Sequence, residues 1–277
     1  MGLLEMAKGI SSEPQNKAVV LMGLPGSGKT TVAGTFPKPM LYVSIGNDGG
    51  GIVLTGYSDD EVRTINLTTD KKGTSCDKVK ELLKELKSDN YYKSVVFDAW
   101  TSMQEEMETY FTALKGCKLN FDEWDAIGKS LLTARDLLIE NSREKDCYYV
   151  MICHVKDKDM TDTLTNEISK NIIPKMTGNN GRILLERPNI VAYCCKKTVK
   201  NSDGSSEVKF LTYLGAHPNI DTKFRTAKKV FDGVGVYVEN CSYDKMMELA
   251  NGKSFEQLAV VEGSKNPFGD DGGNNGW

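Results

Sequence analysis

The stretch "AVVLMGLPGSGKTTVAG", residues 18–34, constrains the fold more than any other part of the chain. Its first five residues are uninterruptedly apolar, which fits a strand buried on both faces, and such strands belong in parallel sheets covered by helices. The next nine residues, Gly23, Leu24, Pro25, Gly26, Ser27, Gly28, Lys29, Thr30 and Thr31, satisfy the pattern G-x-x-x-x-G-K-[ST]. Glycines let successive backbone N–H groups curl around phosphate oxygens, Lys29 reaches the β and γ phosphates, and the Thr30 hydroxyl can ligate Mg²⁺. ATP and Mg²⁺ are therefore the expected ligands, with these nine residues as the binding loop.

The same alternation recurs downstream. "MLYVSI", "VRTINL", "SVVFD" and "CYYVMICH" read as further strands. Between them lie helical stretches: "KTTVAGTF", stopped by Pro37 and Pro39; "CDKVKELLKELKSDN", with a stripe of Val79, Leu82, Leu83 and Leu86; and two more, over about 102–115 and 122–142, separated by the turn-like "GCKLN". Strand and helix in alternation imply an α/β fold, a mainly parallel sheet flanked by helices. "NIVAYCCKKTVK" and "EVKFLTYLG" around Asp203-Gly204 predict a β-hairpin extension towards the C-terminus. From Val155 to Arg182 apolar residues are sparse, which predicts a long loop. Residues 1–16 form an expected N-terminal arm, 17–262 the main domain, and 263–277 a low-complexity acidic, Gly- and Asn-containing tail expected to be disordered.

Chemistry concentrates where strands end, because ligands of open α/β sheets bind outside the carboxyl ends of the strands. Asp98 closes "SVVFD" and is the expected second partner of Mg²⁺ beside Thr30. Hydrolysis also needs a group that orients or deprotonates water. Asp48, in the glycine-rich exit after "MLYVSI", is the first candidate, and Glu105 and Glu106, beyond Asp98, come next. His154 ends another strand at the same edge and could sense a γ-phosphate. The segment behind it carries Lys156, Lys158, Lys170, Lys175 and Arg182. Its acid-free part, "SKNIIPKMTGNNGR", suits the tracking of a nucleic-acid backbone through Lys170, Lys175 and Arg182. A basic cluster in "DTKFRTAKK", with Lys223 and Arg225, could present cations to a neighbouring subunit's γ-phosphate.

The net charge of −3 excludes a global basic field, so any nucleic-acid surface must be a local patch. No apolar run reaches the roughly 18 residues of a membrane span, and no secretory leader is visible, so a cytoplasmic protein is expected. Cysteines at 76, 117, 147, 153, 194, 195 and 241 lack metal-ligand spacing and are expected as reduced thiols, most of them in the core.

Taken in order, "GLPGSGKTTVAGTFPKPMLYVSIGNDGG", "SVVFDAWTSMQ", "FDEWDAIGKSLLTARDLL", "YYVMICHVK" and "HPNIDTKFR" make the chain resemble the phage-encoded, core-only RecA-like P-loop ATPases, the Sak-type annealing and recombination proteins of an AAA-type nucleotide-binding family. The resemblance implies a RecA-like P-loop NTPase core. It also implies ATP hydrolysis stimulated by single-stranded DNA, self-association into a filament or ring, and a host-cell cytoplasmic location. Where the family's strand after the P-loop helix ends in a catalytic glutamate, this chain has Asp48, one methylene shorter. His154 falls at the family's polar switch position, and Leu3, Leu4 and Met6 mark the arm through which members contact the next subunit.

The expected function is that of an ATP-dependent, single-stranded-DNA-binding annealing or recombination protein. The acidic tail, with Asp270, Asp271, Phe268 and Trp277, adds a single-strand-binding protein as a candidate partner. A nucleotide switch or loader acting on a replication protein is the alternative. A small-molecule P-loop kinase is a second, weakened by the lack of an arginine-rich lid.

Overall fold

The computed structural model describes residues 16–46, 49–161, 168–200, 204–225, 236–251 and 260–261. Strand β1 (Ala18–Met22) runs through the glycine-rich loop into helix α1 (Lys29–Gly34), followed by β2 (Met40–Ile45), a 3-10 turn (Gly49–Leu54), β3 (Val62–Leu67) and α2 (Ser75–Leu86). After β4 (Ser94–Asp98) come two long helices, α3 (Trp100–Lys115) and α4 (Phe121–Glu144), and then β5 (Tyr148–Cys153). The chain continues through β6 (Val155–Thr161), β7 (Ile168–Pro174), α5 (Asn180–Glu186), β8 (Ile190–Lys200) and β9 (Ser206–Tyr213). It closes with β10 (Lys223–Phe224), β11 (Val236–Glu239), α6 (Tyr243–Ala250) and β12 (Val260–Val261).

The main sheet has the order β12-β11-β9-β8-β1-β5-β4-β2-β3, with β10 paired to β8. From β3 across to β8 every neighbouring pair is parallel; β9, β10, β11 and β12 pair antiparallel. This is the expected α/β class, a mostly parallel sheet flanked by helices and extended by antiparallel strands.

The apolar run of β1 is explained by the two clusters it feeds. Ala18, Val20 and Met22 pack with α2, α3, α4 and α5 on one face, through residues such as Leu83, Trp100, Met103 and Leu138. Val19 and Leu21 face α1, Phe36 and α6 on the other. Both faces of the strand are thus buried, and no polar side chain can sit along it without cost. The "GCKLN" turn also has a mechanical reason. Gly116 ends α3 at φ +66°, and Asn120 starts α4 by accepting from the backbone N–H groups of Asp122 and Glu123, while the Glu123 carboxylate accepts from Asn120 N.

The long loop expected over 155–182 is replaced by an antiparallel hairpin, β6 with β7, and by α5. A two-stranded ribbon pairs the backbone groups along its shared edge and leaves the outward ones to solvent, so it needs few apolar residues and leaves little periodic signal. Val155 and Ile172, at its root, are buried, while Lys156 to Asp159 and Ile168 to Lys170 are exposed. The tip of the β8–β9 hairpin with Asp203, the cations Lys228 and Lys229, the arm over 1–15 and the tail lie outside the described residues. No helix among the described residues is long and apolar enough to cross a membrane.

Asn16, the last residue of the expected arm, is buried and joins the start of β1 to that of β8. Its amide donates to Arg187 O at 3.2 Å, its Oδ1 accepts from Asn189 N at 3.2 Å, and Asn189 Nδ2 donates back to Asn16 O at 2.8 Å. Replacing Asn16 by Ala removes its side-chain partners from Arg187 O and Asn189 N, while Asn189 Nδ2 keeps the backbone carbonyl. Asn16→Ala should lower the unfolding free energy by about 1–3 kcal/mol in urea titrations, with the m-value unchanged.

Candidate functional site

Parallel pairing brings the ends of three strands to one edge. Met22 of β1 is in register with Cys153 of β5, Phe97 of β4 with Met151 of β5, and Asp98 with Ser44 of β2. Gly23 follows β1, His154 follows β5 and Asp98 closes β4, so the glycine-rich loop, the carboxylate and the histidine share the carboxyl edge.

Backbone shape makes the loop. Gly26 and Gly28 lie at φ +72° and +86°, where side-chain-bearing residues are strained. Gly23 is needed for closeness rather than for its φ: a methyl group there would meet Cys194 O at 2.2 Å and Ser27 Oγ at 2.6 Å. Ser27 Oγ is buried and has no hydrogen-bond partner among the described residues. Lys29, only 5% exposed, turns its Nζ onto Gly23 O at 3.0 Å and Leu24 O at 2.8 Å, the mouth of its own loop. Leu24, Pro25, Gly26 and Thr31 are exposed, and no described residue stands over Gly26. A buried cation resting on carbonyls, an orphan hydroxyl and an open bed of backbone amides fit a polyphosphate, which would supply the acceptors that Lys29 and Ser27 can use.

Asp98 is 3% exposed and accepts at Oδ2 from Thr30 Oγ1 at 3.0 Å and from Tyr42 OH at 2.6 Å. Hydroxyl and carboxylate oxygens at this distance are the hard donors that Mg²⁺ prefers alongside phosphate and water. They would hold the ion, which would supply positive charge beside a bound polyphosphate. Asp48 lies outside the described residues. The chain nearby comes close to the carboxylate, since a methyl group at Gly50 would meet Asp98 Oδ2 at 2.5 Å and Tyr42 OH at 2.9 Å.

The two glutamates beyond Asp98 have other partners. Glu106 Oε2 accepts from Thr69 N at 3.2 Å and Thr69 Oγ1 at 3.0 Å, tying α3 to the turn after β3. Glu105 is exposed and pairs with Lys175 Nζ at 3.0 Å. His154 is linked to α3 through its backbone, its N donating to Thr101 Oγ1 at 3.2 Å, and its carbonyl accepts from Lys175 N at 2.8 Å.

Lys170, Lys175 and Arg182 are all exposed, spread over the hairpin and α5. Lys170 stands opposite Asp159 in the ribbon, and Arg182 Nε donates to Asn179 Oδ1 at 3.2 Å. Lys156 and Lys158 are exposed; Lys156 Nζ donates to Met176 O at 2.8 Å, and Lys158 stands opposite Asn171.

Lys223 and Arg225 are not brought to this edge. Phe224, between them, pairs with Ile190, whose other neighbour in the sheet is Val19, near the amino end of β1. Lys223 Nζ donates to Leu185 O and Glu186 O, capping the end of α5. Its pKa is lowered to about 8, first by burial and then by the charge of Arg225. Arg225 is exposed.

Sequence reasoning missed Tyr42 and Thr101. Tyr42 is the sole phenol in "MLYVSI", and an isolated hydroxyl in a buried strand must find a partner; that was its available signal. Thr101 had none, because its role depends on how α3 docks against the end of β5. Cys76, Cys147, Cys153, Cys194 and Cys241 are buried free thiols, Cys195 is half-buried and Cys117 exposed. Cys153 and Cys194 sit beside β1, and burial pushes the Cys194 thiol up to about 11 and that of Cys153 higher still.

A family model described as an AAA domain, AAA_24, matches residues 15–226, most of the chain and all of the site above. No curated protein matches the chain.

Tyr42→Phe removes the shorter of the Thr30 and Tyr42 hydrogen bonds to Asp98 while leaving the ring packed. The Mg²⁺ concentration for half-maximal ATP binding should rise about tenfold, because the carboxylate loses the partner that orients it towards the ion, with Mg²⁺-free nucleotide binding unchanged. Titration of a fluorescent ATP analogue at graded Mg²⁺ measures both.

Proposed function

The chain belongs to the AAA-type P-loop ATPase family, and from that premise we propose that it hydrolyses ATP to ADP and phosphate while engaged on single-stranded DNA, as an oligomer that promotes annealing or strand exchange of the phage Sak type. One observation carries the reading. The strand between the phosphate-loop strand and the Asp98 strand, β5, runs on through His154 into the β6–β7 hairpin. A nucleotide bound between β1 and β4 would press on the strand from which the hairpin grows.

In this reading Lys29 and the loop amides hold the triphosphate, and Thr30 and Asp98 hold Mg²⁺. Water attacks the γ-phosphorus as the bond to the β-phosphate oxygen breaks, and the water proton passes to a carboxylate. Asp48 is the favoured carboxylate. Glu106 is engaged by Thr69 and Glu105 by Lys175, and the chain just after Asp48 passes along Asp98. The Glu105–Lys175 pair and the Thr101 contact to His154 N would let the ends of β4 and β5 shift the hairpin with nucleotide state. Lys170, Lys175 and Arg182 would then meet phosphates of the strand. Lys223 and Arg225, on the opposite sheet edge, could serve a γ-phosphate only across a subunit boundary, which favours head-to-tail assembly.

Asp157 and Asp159, interleaved with Lys156 and Lys158 on β6, favour a second reading. A ribbon of mixed charge also suits a protein effector, as in a switch or loader acting on a replication protein.

Single-stranded DNA should raise ATP turnover at least severalfold, and Lys29→Ala should abolish turnover. The double variant Lys170→Ala/Arg182→Ala should lose the stimulation while keeping DNA-free turnover, with the salt slope of DNA binding reduced by about 2. Absence of stimulation and of salt-sensitive DNA binding would leave the protein-effector reading in its place.

A further inference from the structure

Phe210 is an aromatic side chain that the phosphate and metal site does not use. It lies on β9, is 41% exposed, and packs against the phosphate loop: a methyl group at Gly28 would meet its ring at 3.3 Å. Alternation along β9 explains its direction. Thr212, two residues on, reaches Cys194 Sγ at 3.8 Å, and Cys194 belongs to the cluster on the α1 face of the sheet. Phe210 therefore stands on the same face as α1, beyond the end of the apolar packing. Val208, one step further out, is 52% exposed, and Lys196, also exposed, is the register partner of Phe210 on β8.

The position is held from both sides. β8 pairs with β9 along the whole ribbon, and Asn240 N donates to Phe210 O at 2.9 Å. A large exposed ring on a backbone fixed at both edges loses little further freedom when something stacks on it.

The direction of a bound nucleotide follows from the two sides of the loop. Thr30 and Asp98, where metal and terminal phosphates belong, lie on the β5–β4 side of β1. The α-phosphate, sugar and base must then leave the loop away from Asp98, and β8 and β9 form that side. We propose that Phe210 is the stacking platform for the nucleobase of the bound nucleoside triphosphate, with Val208 extending the apolar surface and Lys196 beside it as a cation for the sugar-phosphate end. The inference rests on the reading that the loop binds a nucleoside triphosphate. It adds the part of the site that distinguishes a nucleotide from a bare polyphosphate.

The test compares ATP with inorganic tripolyphosphate, each with Mg²⁺, on the full chain by isothermal titration, with thermal unfolding of every variant as a fold check. Phe210→Ala and Phe210→Leu should each weaken ATP about tenfold and leave tripolyphosphate within about twofold, the expected size of a lost base–aromatic stack. Phe210→Trp should retain ATP affinity. Equal losses for both ligands would assign the ring to packing against Gly28 and overturn the proposal. So would unchanged ATP affinity, and so would weakened binding of an oligothymidine single strand with ATP unaffected, which would make Phe210 a DNA contact. A wild-type chain that binds neither ATP nor tripolyphosphate would instead overturn the nucleotide reading on which the inference stands.

Discussion

Burial of β1, β5 and β4 on both faces is the constraint from which the site follows. Val19, Val20, Val96 and Val150 are fully buried, two clusters of apolar side chains divide the strands between them, and helices cover each cluster. A charged group within such strands would be stripped of water without recompense. Polar chemistry is thereby confined to the strand ends, and parallel pairing gathers the carboxyl ends at one edge. The contact between Thr30 and Asp98 is the product: a residue of the first helix turn and a residue two strands away meet at 3.0 Å because β5 fills the space between β1 and β4.

The elements that were legible in the sequence are those whose neighbours in space are set by local rules. The runs in β1, β4 and β5 are short, apolar and bounded by turn residues, and the stripe of α2 repeats at helical spacing. The loop from Gly23 to Thr31 was legible because its shape depends on backbone freedom, which glycine encodes directly. Asp98 was legible by its place at the end of an apolar run. What escaped depended on partners far along the chain. The β6–β7 hairpin is held by its own ladder and by a root where Val155 and Ile172 join the core and Ile172 N donates to Asn219 O, so the exposed rest of it shows no apolar period. Glu105 and Glu106 are adjacent in sequence, yet one faces Lys175 and the other Thr69, a division set by the rotation of α3 rather than by any pattern in "SMQEEM". Phe210 looked like one more apolar residue of a strand; only the register of β9 against β8 brings its ring to Gly28.

The hairpin and the phosphate loop are joined by short mechanical links. Gly23 N donates to Cys153 O at 3.1 Å, so the loop is fastened to β5 one residue before His154. The His154 carbonyl in turn takes Lys175 N, at the far root of the ribbon. A displacement at the end of β5 therefore has a continuous hydrogen-bonded route to the base of the hairpin.

Cation placement bears directly on assembly. Lys29 is committed to its own loop, and Lys223, half-buried on the carbonyls that end α5, is lowered towards neutrality by burial and by Arg225. A lysine so held serves α5 better than a distant phosphate. Arg225, exposed beside it, with a planar fork of donors that matches phosphate oxygens, is the better of the two for a partner's γ-phosphate. Both are separated from their own Asp98 by the length of the buried strands, about 10 Å along β1 from Val19 to Met22 and more across the sheet. No rotamer change spans that gap through a packed core. If either cation takes part in hydrolysis, the site it completes must belong to another copy of the chain, and the proposed oligomer becomes a requirement of the chemistry rather than an accessory to it.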